Sequence, residues 1–412
     1  MLKILQIALR NLLRYKRRTL LTASLITVGV VFVLLFMSVS GSFKNMMVGQ
    51  ITDSMLGHLQ VHRKGYVASI DNLPLTLNMK AKAVHRLQEI LDRQPEIEAS
   101  SPRIKFGAMF SNYTETSNVR LNGVVPEKEF ATVPLLSSRI TEGRKTLKRG
   151  EILVPALLSK GMKVKVDDTV VIIATNKDGS VNGRQFVVAG ILDGITGPGG
   201  RDGYLHFDDA VELLRMEEAE VSEIAIRLKN FDSLHSFSSR LEGIVAGEMN
   251  KENKPLFEIH TWEKLSPFFN ISKMIDLMTL SIKLMLTMIV LISITNVMIM
   301  AVYERIREIG TIAAIGTLPG KILSMFVVEG FLLGVFGAII GGLVAMALVK
   351  IVNIAHLTFD FGQQKDLLLV AQLHPKDLLF ISITVIVVSV IASLYPAVKA
   401  SRMDPIQALR HV

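Results

Sequence analysis

Four apolar runs limit what this chain can fold into: residues 19–40, 284–303, 322–349 and 378–398. Each has about 20 residues or more, enough to cross the ~30 Å hydrocarbon core of a bilayer as a helix. Within lipid every backbone N–H and C=O must be satisfied inside the segment, so runs of this length form helices. Their placement is lopsided. One stands near the N-terminus, three lie close together near the C-terminus, and a long polar segment separates them. The expected fold is a membrane protein of four transmembrane α-helices, with a large α+β extracytoplasmic domain inserted between helices 1 and 2. The rival reading of the first run is a signal peptide, with Ser38 and Ser40 mimicking a cleavage site. Its apolar length exceeds the roughly 7–15 residues of a signal-peptide core, so it is taken as a retained helix.

Charge orients the spans. The formal net charge is +9, and the basic residues gather beside the apolar runs. Arg10, Arg14, Lys16, Arg17 and Arg18 precede the first; Arg305, Arg307 and Lys321 separate the second and third; Lys399, Arg402 and Arg410 follow the fourth. Cytoplasmic loops collect Lys and Arg. Both termini and the loop 303–321 are therefore expected in the cytoplasm, with 41–275 and 351–376 outside. In the outer loop and at its edges Lys350, Lys365 and Lys376 offset Asp360, Asp366 and Asp377. The basic balance thus reflects topology, and no nucleic-acid partner is expected. The chain has no cysteine. That excludes disulfides, thiol chemistry, Cys-ligated zinc and a lipid-modified N-terminal Cys.

Residues 1–18 form an amphipathic cytoplasmic helix, with Leu2, Leu5, Leu9, Leu12 and Leu13 at helical spacing among basic residues, lying on the inner surface. Residues 19–45 form the first span and a stalk, and 46–262 the external domain. Next come a stalk and second span (263–303), a cytoplasmic loop helix (304–320), the third span (321–350), an outer loop (351–376), the fourth span (377–399) and a cytoplasmic tail (400–412). In the external domain, alternation predicts strands at 57–62, 119–125, 169–174, 185–192 and 223–228. Helical spacing covers 80–93, 208–216 and 233–249. Turns at Lys177-Asp178-Gly179 and Gly197-Pro198-Gly199-Gly200 mark a β-rich insert at about 135–207. Helical spacing near the second span predicts one helix from Trp262 to Ile309. A helix of that extent measures about 70 Å at 1.5 Å per residue, so two stalks could carry movement between the membrane and the domain. In the third span, Gly330-x-x-x-Gly334 and Gly337-x-x-x-Gly341 predict close helix packing.

The search for chemistry excludes more than it finds. Gly-Thr-Leu-Pro-Gly-Lys at 316–321 imitates a phosphate loop. Yet three residues rather than four separate its glycines, Ile322 replaces the Ser/Thr, and Pro319 removes an amide donor. The plainer reading is that Gly316 caps a short helix, Pro319 stops it and Lys321 begins the next. His58 and His62 fall on a strand, about 13 Å apart at 3.3 Å per residue, too far for one metal. No active site and no metal site emerge. Glu329, inside the third span, is either a functional ionisable group or a structural partner of a neighbouring helix.

Residues 304–318 are the best candidate for function. Glu304–Arg307 and Arg305–Glu308 are each three apart and can pair on a helix surface. Ile309, Ile312, Ala313, Ile315 and Leu318 follow as an apolar face too short to span. Such a helix lies on lipid or docks in a partner's groove, and the composition leaves both open. The small residues Gly310, Ala313, Ala314 and Gly316 suit a close-fitting protein.

At these residues the chain resembles a known family. Glu-Arg-x-Arg-Glu-Ile-Gly-x-x-x-Ala-x-Gly, from Glu304 to Gly316, looks like the coupling-helix region of FtsX-like ABC permeases. Phe326-x-x-Glu329-Gly330, Tyr395-Pro396-Ala397 and Asp404-Pro405-Ile406-Gln407-Ala408-Leu409-Arg410 match the family as well. Gly57-His58-Leu59-Gln60-Val61-His62 with Gly65-Tyr66 resembles the start of the external domain in the macrolide-exporter and lipoprotein-release branch. The length, without a fused ATPase, is more similar to the lipoprotein-releasing permeases. The resemblance implies a non-enzymatic subunit that pairs with a second copy or paralogue. It also implies binding to cytoplasmic ABC ATPase subunits through Glu304, Arg305, Arg307, Glu308, Gly310, Ala314 and Gly316. No cofactor of the chain's own is implied; ATP and Mg²⁺ belong to the ATPase. Hydrolysis would be relayed to the external domain by mechanotransmission, to move lipoprotein, lipid or other amphipathic cargo. A periplasmic lipoprotein or acceptor protein would be a further partner.

Phe43, Met47, Met274 and Met278 are the candidate cargo contacts, because Met and Phe make adaptable apolar surface. Ordinary stalk packing or lipid contact is the plainer reading of all four. The alternative function is an ABC-type regulator that controls a periplasmic cell-wall hydrolase or detects peptides without transport. A solute channel would need polar residues along the spans, and few are present.

Overall fold

Among the described residues, the apolar runs form four helices long and apolar enough to cross a membrane: span one (Lys16–Ile51), span two (Phe268–Glu304), span three (Pro319–Ile354) and span four (Pro375–Ser401). The computed structural model describes residues 2–193, 202–249, 255–361 and 364–410. It divides into two compact units. One comprises Met1–Lys44, Lys273–Phe359 and Leu368–Val412; the other comprises Asn45–Ser272 and Asp360–Leu367.

In the first unit the spans share one apolar core. Ile26, Val30 and Leu34 of span one meet Val290, Ile294 and Met298 of span two, Phe326 and Leu333 of span three, and Ile381 and Val385 of span four. Span three is the central helix, and its glycines explain why. A Cβ on Gly330 would stand 2.5 Å from Ser393 Cβ, and one on Gly334 would stand 2.7 Å from Ser389 Oγ, both on span four. Gly337 and Gly341 face Ile26 and Val30 of span one in the same way. Small residues one turn apart let backbones approach where lipid offers no hydrophobic drive. The N-terminal helix (Leu2–Arg14) packs on span three, burying Ala8 and Leu12 while Leu5, Leu9 and Leu13 stay exposed.

Span two is shorter than its spacing predicts. The turn Trp262–Leu265 ends at Ser266 and Pro267, and the long helix starts only at Phe268. At the other end Arg305 leaves helical geometry (φ −111°, ψ 15°). The 37-residue helix measures about 55 Å at 1.5 Å per residue, rather than 70 Å. It still exceeds the hydrocarbon core. The outer loop contains a strand pair, Thr358–Phe361 with Gln364–Leu368. The side chains of Asp360, Lys365 and Asp366 lie outside the described residues.

Among the described residues, the second unit is built on a ten-stranded mixed sheet. Its strands are β1 (Leu59–Arg63), β2 (Ile97–Ser111), β3 (Thr116–Val124), β4 (Ile140–Gly143), β5 (Glu151–Pro155), β6 (Thr169–Thr175), β7 (Val181–Leu192), β8 (Asp202–His206), β9 (Glu223–Leu228) and β10 (Phe257–Thr261). The order is β10-β1-β9-β2-β3-β8-β5-β7-β4, and β6 pairs with both β2 and β7. The pairings β2-β3-β8-β5-β7-β6-β2 therefore close a ring. Phe106, Phe110, Leu121, Ile172, Phe186 and Leu205 belong to one apolar core within it. Helices Ala81–Asp92 and Leu234–Val245 cover the β10-β1-β9 half through a separate core. Strands β4 to β8, within the expected β-rich insert at about 135–207, share this one sheet with β2 and β3. The turn expected at Gly197–Gly200 lies outside the described residues.

Candidate functional site around the loop between spans two and three

The loop helix (Ile306–Ala314) is set off at both ends by backbone chemistry. Arg305 breaks the path from span two. Gly316, at φ +92°, ends the helix, with its N–H donating to Ala313 O at 3.0 Å and Thr317 N–H donating to Ile312 O at 3.2 Å. A residue without Cβ suits this left-handed position. Pro319 does not stop the loop helix as expected. It is the first residue of span three, where its missing N–H and fixed φ are no handicap. The helical part of the expected 304–320 segment is accordingly 306–314.

The buried side of the loop is anchored by charge. Arg305 Nη1 donates to Glu329 Oε1 at 2.9 Å, and both side chains are buried. Asn11 Nδ2 donates to the same oxygen at 2.8 Å. The Arg305 guanidinium also lies 4.6 Å from the centre of the Tyr15 ring, within cation–π range. Arg305 was expected to pair with Glu308 along the helix. It turns inward to span three instead, because a buried guanidinium needs a carboxylate. Glu308 accepts from Arg14 Nη1 at 3.4 Å, across exposed surface. Of the two readings of Glu329, the geometry supplies the structural partners. Asn11 and Tyr15 were missed, although a lone asparagine among the leucines of the N-terminal helix was a visible signal.

The remaining residues of the loop sort by exposure. Gly310 is buried with Ile306 and Ile309. Glu304, Arg307, Glu308, Ala314 and Gly316 are exposed, and so are Thr311, Ile312, Ile315 and Leu318. The outer face therefore carries charge at its start and apolar side chains at its end. Between the loop helix, the N-terminal helix and span three lies a cleft of about 300 Å³, lined by Ile7, Asn11, Ile309, Ile312, Ile322 and Phe326 among others. The C-terminal helix (Pro405–Arg410) packs on the loop helix with Ala408 buried. Lys399 Nζ, on span four, donates to Tyr303 Oη at 2.8 Å.

The four candidate cargo contacts are not alike. Met47 is fully buried in the core of the second unit, packed with Leu59, Val61 and Trp262 among others, so it offers no surface to cargo. Phe43 stands 5.2 Å from Phe359, ring centre to ring centre. Met274 and Met278 are about half exposed. Nearby, Lys44 Nζ donates to Asp276 and ties span one to span two. His58 and His62 each have their own company. His58 Nδ1 accepts from Leu228 N–H, while His62 is buried beside Glu223.

Comparison with known proteins gives this arrangement its context. The family described as MacB-like periplasmic core domain matches residues 19–244, more than half of the chain. The family described as FtsX-like permease C-terminal matches residues 280–405. The lipoprotein-releasing system transmembrane protein LolC of Xylella fastidiosa (strain 9a5c) is 25% identical, over 77% of this chain and 78% of its own length. The ABC transporter permease YknZ of Bacillus subtilis (strain 168) is 24% identical, over 100% of this chain and 99% of its own. The solved periplasmic region of MacB from Actinobacillus actinomycetemcomitans aligns with a TM-score of 0.35 at 13% identity, over 51% of this chain and 92% of that one. The chain belongs to the family that joins a MacB-like periplasmic core domain to an FtsX-like permease C-terminal region, the multi-pass inner-membrane permeases of ABC transporters.

Proposed function

We propose that this permease is the membrane subunit through which a separate cytoplasmic ABC ATPase drives the external domain. The observation that carries the reading is the two-faced loop helix. Its buried side is bound to span three through Arg305 and Glu329, while Arg307, Glu308, Thr311, Ile312, Ala314 and Ile315 face outward. A short helix with charge at one end and apolar side chains at the other fits a groove on a partner protein. An anchored base gives such a partner something rigid to push. Spans one and two are longer than a bilayer requires, which suits them as stalks that carry the movement outward. Four spans enclose little space, so the working form is a dimer with a second copy or paralogue. No route through the bilayer is then needed.

The cargo is lipoprotein, lipid or another amphipathic molecule taken from the outer leaflet. The name of the LolC relative supports this class, and the exposed Met274 and Met278, with Phe43, offer adaptable apolar contacts. The test is affinity purification in mild detergent, with mass spectrometry of bound proteins and lipids. A P-loop ATPase should copurify, and lipid or lipoprotein should cross-link at Met274 and Met278. Recovery of the chain without any ATPase would overturn the reading.

A further inference from the structure

The N-terminal helix is in the wrong place for a mere surface anchor. Its Asn11 reaches the one carboxylate that also holds the bend between span two and the loop helix. Three elements therefore meet on Glu329: the N-terminal helix through Asn11, the bend through Arg305, and span three through Glu329 itself. Tyr15 closes the group by covering the guanidinium, and Arg14 adds an outer contact to Glu308 on the loop helix.

We infer that Asn11, Arg305 and Glu329 form a three-way joint that sets the angle of the loop helix and makes the N-terminal helix a moving part of the relay. This rests on the ATPase-driven reading above. Arg305 is the residue at which helical geometry fails, so its side chain fixes the direction of the bend. Its charge is buried, and separating it from Glu329 would leave two uncompensated charges away from water, which costs far more than an exposed pair. The loop helix therefore cannot swing alone. Any push on it must carry span three or the N-terminal helix along. Buried ion pairs add little net stability compared with apolar packing, and their best-attested use is to fix one geometry among several. The shared oxygen suits that use. Two donors from different helices converge on a single Oε1, so a shift of either is felt by the other.

Glu329→Gln is the decisive variant, because it keeps the size while removing the charge on which both Arg305 and Asn11 converge. The first measurement uses the full chain alone in mild detergent. Backbone hydrogen exchange should rise about tenfold in both 306–314 and 2–14, and the paired swap Arg305→Glu with Glu329→Arg should restore protection in 306–314, because it rebuilds the ion pair but offers the Asn11 N–H no acceptor. The second adds the copurifying ATPase and spin labels at Ile315→Cys or Met274→Cys, which the cysteine-free sequence makes unambiguous. In Glu329→Gln the ATPase should still bind and the label at 315 should still respond to ATP, while the response at 274 is lost. A response at 274 equal to that of the unmodified chain would overturn the joint. So would unchanged exchange in 2–14, or failure of the swap to restore protection in 306–314. An ATPase that never binds the unmodified chain fails the proposed function instead, and the exchange measurement still decides the joint.

Discussion

At the scale of single residues, the sharpest chemistry outside the membrane is the charge cluster in the sheet. Arg103 stands where β2 passes from its pairing with β9 to its pairing with β3. It is buried and bonds Glu129 at 2.8 Å and Glu223 at 3.0 Å, and Lys105 adds a contact to Glu223. Two carboxylates of this cluster respond to burial in opposite ways. Burial pushes the Glu223 carboxyl up, but Lys105, His62 and Arg103 outweigh it and hold the group well below the usual carboxylate range. For Asp202 burial prevails over Lys105 and Arg120, and the carboxyl is raised from 3.8 to about 6. The signs then differ. Glu223 contributes stability that is present above its ordinary range and is lost as the pH falls through its lowered value. Asp202 binds its proton more tightly folded than unfolded, so its contribution declines as the pH rises from about 4 to about 6. Asp202→Asn should abolish that decline. The variant should gain stability relative to the parent as the pH rises from 4 to 7, by at most about 3 kcal/mol. The lost contact to Arg120, at 3.5 Å, reduces the gain. Thermal melts across this range check it, and a difference between the two proteins that ignores pH would show that Asp202 ionises normally.

At the scale of elements, two glycines separate packing from backbone geometry. Gly334 faces Ser389 at a distance no side chain can share, so Gly334→Leu should destabilise the bundle by about 1–3 kcal/mol. Melting in detergent measures this, with Gly320→Ala, which meets open space, as the neutral control. Gly316 also has open space around it, and its constraint is φ +92° alone. Gly316→Ala should cost about 1–2 kcal/mol at the end of the loop helix. It should weaken ATPase binding several-fold and leave bundle melting unchanged, as a binding titration beside a melt would reveal. Equal losses in both would mean that Gly316 matters to the bundle and not to the docking face. These elements also show what the sequence could convey. The four spans were legible because length and apolarity alone define them, and the glycine spacing of span three named its packing faces. The outline of the loop helix was legible from its charges and small residues. The bend at Arg305 was not, because its cause is Glu329, 24 residues away on another helix. Strand β2 escaped for a similar reason. Its first half is polar and contains Pro102, which argues against a strand, but pairing with β9, β3 and β6 overrides the local signal. Met47 looked like stalk surface because spacing cannot tell which side of a long helix a domain will cover.

At the scale of the whole molecule, the proposed relay requires one orientation in the membrane. The loop helix must share a compartment with ATP, and the ten-stranded domain must lie on the opposite side. The charge distribution supports this. Arg10 and Arg14 precede span one and Lys16 and Arg17 open it, Arg305 and Arg307 lie between spans two and three and Lys321 is in the first turn of span three, and Lys399 and Arg402 stand at the end of span four. Lys and Arg are retained on the cytoplasmic side. The chain lacks cysteine, so single introduced thiols report their own side without background. Ile315, at the end of the loop helix, is 81% exposed, and Ser236, on the helix that covers the sheet, is exposed too. A membrane-impermeant maleimide should label Ser236→Cys in right-side-out vesicles and Ile315→Cys only in inside-out ones. If both label from the same side, span two, the one long apolar helix between the two positions, fails to cross, and force applied at the loop helix has no path to the domain.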